Sequence, residues 1–388
     1  MDTYDAVVIG GGILGAAAGY HLSRAGLATM VVNRGDTGGA TRAGAGIVCP
    51  VTATVGDERL VELAFAAAAY YPGLAAELAD GGRPTGYARS AMLSVSLDGA
   101  GTGQVARTAA WADRVAAEAA GFADMCGYIS LGESECSKQC PVLGAEIDGG
   151  LLVGAAQVNG HEFRQSLLAA GSRLGLTVVD GDVQRILFAG GDAAGVVVDG
   201  NTVTAGHIVV CAGAWTDRLL APAGRTPVIT PARGEILHIQ VDGLDTSSWP
   251  LIQIEGSGPY IIPWPEGRLA VGTTVEPAPD FDARATVAGV TKIADSFERA
   301  TRGRIVGAKL LDCRVGLRPM SADGLPLIGP WPGAGRVLVA TGHGANGLSW
   351  GPYTGKLVAD MITAQPAAID LHPFSADRFD GVGWKERM

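Results

Sequence analysis

Charge is scarce in this chain, and positive charge is scarcest. Only 18% of the 388 residues are Asp, Glu, Lys or Arg; 39 acids outweigh 29 bases, and the net charge is −10. Five lysines stand beside 24 arginines. No basic block occurs of the kind that grips a polyanion, which argues against nucleic acid as a partner. No apolar run reaches the roughly 20 residues of a bilayer-spanning helix; the longest, from Ala6 to Tyr20, is broken repeatedly by glycine. Met1-Asp2-Thr3 leads into strand-like text without a charged n-region and an apolar h-region, so a cytoplasmic chain is expected. Its six cysteines, Cys49, Cys126, Cys136, Cys140, Cys211 and Cys313, then read as reduced thiols. Cys136 and Cys140 have a CxxxC spacing, but no histidine stands near; residues four apart share a helix face, and no metal site is expected.

What is abundant is glycine. Fifty-eight glycines make up about twice the usual share of roughly 7%. There is no G-X-Y period, and an apolar content of 47% excludes a disordered chain. The length suggests two closely connected domains around more than one core.

At the N-terminus a β-branched run, Tyr4-Asp5-Ala6-Val7-Val8-Ile9, ends in three glycines. Small apolar residues then recur at helical spacing, and residues 28–33 form a second buried strand. Strand, glycine turn, helix and strand make a βαβ unit. Helices are expected over 60–78, with a break at Pro72, and over 104–120, 134–139, 161–171 and 286–301. Strands are expected over 90–97, 176–179, 183–188, 195–198 and 207–211. From 229 to 275 strand follows strand without a helix, the mark of an antiparallel layer. Strand, glycine loop and helix return over 337–362. Parallel-sheet text therefore occupies the start, centre and end, with antiparallel text inserted twice. The fold class is α/β (α+β overall), a Rossmann-like domain carrying an inserted antiparallel sheet.

Gly10-x-Gly12-x-x-Gly15 sits between strand and helix, the context a dinucleotide fingerprint requires. The first glycine allows the tight turn. The second lets the backbone approach a pyrophosphate, and the third lets helix and strand pack closely. The diphosphate then meets unpaired N–H groups and the positive helix end. Where a ribose-binding carboxylate is usual, about 20 residues on, stands Asn33, followed by Arg34. An amide oxygen accepts a hydrogen bond but carries no charge, and its neutrality leaves NADP formally open.

Three further motifs follow in order: Gly39-Ala40-Thr41-Arg42-Ala43-Gly44-Ala45-Gly46-Ile47, Val209-Val210-Cys211-Ala212-Gly213-Ala214-Trp215, and Thr341-Gly342-His343-Gly344-Ala345-Asn346-Gly347. Gly316-Leu317-Arg318-Pro319 stands before the last. Together with the fingerprint they resemble the family of FAD-dependent D-amino-acid, glycine and sarcosine oxidases, from residue 3 to about 365. The resemblance implies an FAD-binding domain of residues 1–86, 151–226 and 318–388, and a substrate-binding domain of 87–150 and 227–317. It implies that Gly10, Gly12, Ile13, Leu14 and Gly15 meet the pyrophosphate, that Asn33 and Arg34 lie by the adenosine, and that Thr41 and Arg42 reach the phosphates or ribityl chain. Ala45, Gly46 and Ile47 would pass the isoalloxazine edge, and Val183 would pair through its backbone with adenine. Ala212, Gly213 and Trp215 form the central turn. Gly342, Gly344, Ala345, Asn346, Gly347 and Leu348 surround the pyrimidine end of the flavin. A helix N-terminus at that place would also stabilise the negative charge of a reduced flavin.

The same resemblance makes Arg318 the carboxylate clamp, for which a guanidinium fork is suited. Tyr260 would add its hydroxyl to that carboxylate or pack in the core. His343 would tune oxygen reactivity or satisfy a backbone group. The position of covalent flavin attachment in some members falls near Gly316, with Cys313 offset, so dissociable FAD is expected. The implied reaction is oxidation of a small amino acid (D-amino acid, glycine or N-methyl amino acid) by hydride transfer from Cα to flavin N5. The imine formed is hydrolysed to a 2-oxo acid, and O2 or another acceptor reoxidises the flavin. Three rivals stay open: a 2-hydroxy-acid dehydrogenase using His343 or His238 as base, a flavoprotein subunit of a heteromeric dehydrogenase, and a nicotinamide-binding module. Oligomerisation is left open.

Overall fold

The computed structural model describes residues 3–35, 38–97, 102–118, 123–144, 146–221, 229–256 and 258–379. Its first sheet has a parallel centre. Thr3–Ile9 pairs with Thr29–Asn33 on one side and Asn201–Val210 on the other, and Thr177–Asp180 and Val337–Thr341 extend the row, all parallel. The expected strand at 207–211 is thus the end of a longer one. Antiparallel strands complete the sheet: Leu327–Pro330 beside Val337–Thr341, and Asp192–Val198 with Val183–Ala189 beside the lower part of Asn201–Val210. Continuous β-branched text is required because both faces are covered. Ala6 and Val8 face one apolar cluster, Val7 and Ile9 the other, and none of the first three has any exposure.

One face carries the helices Ile13–Arg24, Val61–Ala79, Gly160–Arg173 and Gly347–Ile362. Val61–Ala79 does not break at Pro72 as the sequence suggested. Leu63, Phe65 and Tyr71 before the proline, and Leu74 and Leu78 after it, are all buried; this packing holds both halves on one axis. Ile13–Arg24 and Gly347–Ile362 lie in close contact through missing side chains. A Cβ on Gly355 would stand 2.5 Å from the Ala17 Cβ and 2.6 Å from the Ala18 nitrogen; one on Gly351 would stand 2.9 Å from the Ile13 Cγ2.

The second sheet has ten strands, antiparallel except where Leu251–Ile254 runs parallel to Tyr87–Leu97. At its middle, Tyr260–Trp264 pairs with Leu251–Ile254 and Arg268–Gly272, the latter with Ile229–Gln240, and that strand with Lys309–Ser321. Single strands, Ile147–Val158 and Lys309–Ser321, run across the divisions at 150/151 and 317/318. The outer face packs on Val287–Thr301 through Ile293 and Phe297. Cys136 and Cys140 are fully buried in the same apolar cluster, where burial raises both thiol pKa values. The inner face, with Met92, Leu151, Ile236, Tyr260 and Ile262, turns toward the glycine loops.

The helix contact makes a direct prediction. Gly355→Ala drives a methyl against backbone, which cannot swing aside, and should cost about 1–3 kcal/mol as other overpacked cores do. Thermal melts should show a fall of several degrees; an unchanged Tm would mean that the helices stand further apart.

Candidate active site

Between the two layers lies a cavity of about 950 Å³. Two helix N-termini open into it. Ile13–Arg24 starts after Gly12 and Gly347–Ile362 after Asn346, and neither N-cap residue supplies a side-chain cap, so backbone N–H groups face the space between. Gly10 has φ +103°, and a Cβ there would collide with the Cys211 carbonyl. A diphosphate needs this bare turn beside a helix end.

Every residue that the resemblance assigned to the cofactor or to the substrate lines the cavity except Gly15 and Gly342. Gly15 instead lets the helix sit on the turn, since a Cβ would strike the Gly10 carbonyl. Gly342, at φ +76°, packs toward Ser321, Leu327 and Ile229. The Thr41 hydroxyl accepts from the Ile13 N–H at 2.9 Å, and Asn33 Oδ1 accepts from the Gly11 N–H at 3.2 Å. The Thr341 hydroxyl donates to the Gly213 carbonyl at 3.1 Å, joining the central turn to the C-terminal loop. Ser349 Oγ donates to the Ile47 carbonyl at 2.6 Å. Arg34 stands 5.3 Å from the Trp215 ring centre.

Arg164 was not anticipated. It rises from the helix Gly160–Arg173, lines the cavity and donates to the Gly11 carbonyl. No local motif marks it, because only the packing of that helix against Ile13–Arg24 brings it there. Five arginines (34, 42, 164, 218 and 318) line the cavity against two acids, Asp182 and Glu255, a local reversal of the net charge.

Arg318 lies on Lys309–Ser321, largely buried. Its Nη2 donates to the Thr273 hydroxyl at 2.9 Å and its Nη1 to the Thr274 carbonyl at 3.2 Å. Among the described residues no carboxylate pairs with it, and burial lowers its pKa. Tyr260 packs its hydroxyl against Gly272, beside Thr273 and Arg318; burial pushes its pKa up to about 12, with the Arg318 charge pulling the other way.

Behind this pair stands Glu235, wholly buried and also unforeseen. Its carboxylate accepts from the Thr274 hydroxyl at 3.0 Å, the Thr286 N–H at 2.6 Å and the Thr286 hydroxyl at 3.0 Å, at the start of Val287–Thr301. Its backbone carbonyl accepts from the Thr273 hydroxyl at 3.0 Å. Glu235 thus fixes the two threonines that hold the guanidinium.

His343 has both ring nitrogens engaged. Nδ1 donates to the Thr341 carbonyl at 3.0 Å, which leaves Nε2 to accept from the Thr354 hydroxyl at 2.9 Å. Complete burial holds its pKa down at about 4. Of the two roles expected for it, the geometry favours satisfying a backbone group. His238 does not line the cavity; burial, and then Arg314, hold it near 4 as well. Gly316 lies against the short helix Ala40–Ala43, 2.9 Å from the Ala43 Cβ for an added Cβ, and Cys313 is outside the cavity lining. At the far wall stand Ser94, Gln253 and Glu255, whose carboxyl is raised to about 7 by burial against the opposing effect of Arg107.

The model of the DAO family of FAD-dependent oxidoreductases matches residues 5–361, and the chain belongs to that family. It is an FAD-dependent oxidoreductase. The uncharacterised oxidoreductase YurR of Bacillus subtilis (strain 168) is 32% identical to it over 96% of this chain and 98% of that protein. The glycine oxidase of Geobacillus kaustophilus (strain HTA426) is 30% identical, over 97% and 98%. The crystal structure of an iminodiacetate oxidase from Chelativorans sp. BNC1 superposes with a TM-score of 0.88 at 30% identity, covering 95% of this chain and 98% of that one. No helix among the described residues is long and apolar enough to cross a membrane.

Two variants test the site. Asn33→Glu should bind FAD more tightly by roughly 1 kcal/mol, because a charged acceptor to a ribose hydroxyl is worth more than a neutral one. Equal or weaker affinity in a titration of the two apoproteins would place the ribose elsewhere. Glu235→Gln presents an amide donor to groups that already donate and should lower unfolding free energy by about 1.5–3 kcal/mol. A denaturant midpoint equal to the wild type would contradict that network.

Proposed function

We propose that this protein oxidises a small amino acid at the carbon–nitrogen bond. The observation that carries the reading is Arg318, a buried guanidinium at the cavity wall whose partners are a hydroxyl and a carbonyl, with no carboxylate among the described residues. A buried charge needs a counter-charge, and a bidentate fork selects a carboxylate. Names among the relatives, glycine oxidase and iminodiacetate oxidase, agree with an amino-acid substrate.

In this reading the parallel layer holds the dinucleotide. Gly10, Gly12 and Ile13 would meet the pyrophosphate with Thr41 and Arg42, Asn33 and Val183 would flank the adenosine, and the loop ahead of Gly347–Ile362 would face the flavin ring. Bound there non-covalently, FAD supplies an acceptor for the hydride that leaves Cα. Arg318 anchors the substrate carboxylate and so fixes where Cα–H points. Tyr260 adds a hydroxyl that stays protonated at neutral pH. The substrate amine, entering neutral, supplies the electron pair that replaces the lost hydride; the resulting imine takes up water to give a 2-oxo acid and the freed amine. No side-chain base is required. That favours amine oxidation over hydroxy-acid oxidation, for which His343 and His238 were the candidate bases. His343 is hydrogen-bonded on both nitrogens, and His238 stands outside the lining.

Anaerobic bleaching of the flavin by D-, L- and N-methyl amino acids, with 2-hydroxy acids as controls, tests the reading; bleaching by hydroxy acids alone would reverse it. Truncating one partner of a buried charged pair costs about 2–5 kcal/mol. Arg318→Ala should therefore lower kcat/KM by roughly two to four orders of magnitude. Arg318→Lys should recover only part, since a point charge lacks the fork. FAD should remain bound in both, and loss of the flavin in the alanine variant would put Arg318 in the cofactor site instead.

A further inference from the structure

The far wall of the cavity is built for a group that glycine does not have. Ser94, Gln253 and Tyr260 stand in one row across three neighbouring strands, in register, and all line the cavity. Opposed residues in register point to the same face. Glu255 follows Gln253 by two residues at the strand end and lines the cavity too. Two polar atoms on this wall are buried without a hydrogen-bond partner, Ser94 Oγ and Glu255 Oε2. Glu255 is only 6% exposed and Ser94 only 1%. Native proteins leave few such atoms unpaired, and a carboxylate oxygen costs more unpaired than a hydroxyl.

We propose that Glu255 and Ser94 form a side-chain subsite for a cationic terminus, so that the substrate is an amino acid bearing an ammonium or guanidinium group at the end of its side chain. This rests on the amino-acid reading given above. In its ionised form the carboxylate oxygen only accepts, so its partner is then a donor, and a cationic donor also supplies the counter-charge that favours that form. The spacing agrees. Gly272–Thr273, where Arg318 is anchored, and the strand Leu251–Ile254 are two strands apart, roughly 10 Å at the usual 4.8 Å spacing. That is the separation of the backbones, with Ser94 one strand further on; Arg318 and Glu255 both line the cavity over this span, and an amino acid with an extended basic side chain fits between two side chains reaching inward from its ends. Arg107, exposed on the helix Thr102–Glu118, lies close enough to act on Glu255, yet it makes no hydrogen bond that satisfies Oε2.

The holoenzyme is mixed anaerobically with glycine and with both enantiomers of lysine, norleucine and glutamate, and the rate of flavin bleaching is followed against concentration. Lysine should exceed norleucine, its uncharged near-isostere, by tenfold or more in kcat/KM. Glu255→Gln should cut that ratio at least tenfold, mostly through KM, and Glu255→Leu should invert it. A wild-type ratio of one or below overturns the proposal without any variant. So does a preference for glutamate, which would make the wall a second carboxylate site, or a ratio that both variants leave unchanged. Bleaching by glycine alone overturns the subsite but leaves the amino-acid reading standing. Bleaching by no amino acid overturns that reading, and the subsite with it.

Discussion

The contact between Ile13–Arg24 and Gly347–Ile362 is the constraint on which the rest depends. Both helices must bring their N-termini to one cavity from distant parts of the chain, and they do so only because Gly351 and Gly355 leave no side chain at the crossing. Each helix continues a strand of the parallel sheet through a glycine turn, so the sheet register fixes where each turn lies. Gly10 then passes the Cys211 carbonyl, and the Thr341 hydroxyl reaches the Gly213 carbonyl. A shift of either helix would separate the loops that line the cavity together. The glycine excess of the composition is therefore concentrated in meaning at a few crossings where backbone meets backbone.

Electrostatics follow from that geometry. A net charge of −10 does not attract an anionic substrate from a distance, so attraction has to be local and directional. The cavity concentrates arginines, and the one deepest in the antiparallel layer is held by neutral partners. A carboxylate in direct contact with Arg318 would neutralise it and compete with a substrate. Glu235 avoids this by acting one layer back, gripping Thr274 and Thr286 while Thr273 presents its hydroxyl and Thr274 its carbonyl to the guanidinium. The fork is rigid yet retains its charge for a ligand.

What could be read from the sequence was what local periodicity and short motifs encode. The βαβ start, the glycine fingerprint, the antiparallel stretch after 229 and the helices near their observed ends all fall in this class. So did Arg318, whose flanking residues form a recognisable string. The misread and unread features depend on partners far along the chain. Pro72 signals a break locally, and only burial of Leu63, Tyr71 and Leu74 on one face keeps the helix continuous. Arg164 meets Gly11 across 153 positions, and Glu235 meets Thr286 across 51. Ser94 and Gln253 become neighbours through a parallel pairing inside an otherwise antiparallel sheet, a register no local pattern announces.

The same register explains how one scaffold separates chemistry from selectivity. The cofactor loops are backbone surfaces, where a change of side chain alters little provided that glycine stays glycine. Arg318, the carboxylate anchor of the proposed reading, comes from a strand at one side of the inner face, with Glu235 behind it. The far wall is made of side chains at positions 94, 253 and 255, and the hydrogen bonds that hold Arg318 come instead from Thr273 and Thr274. Substitution there can alter what extends beyond Cα without moving Cα itself. Two elements that must be exact, the turn at Gly10 and the fork at Arg318, are pinned by backbone and by buried hydrogen bonds. The far wall retains unsatisfied polar atoms, and the free energy of satisfying them is available only when a ligand arrives.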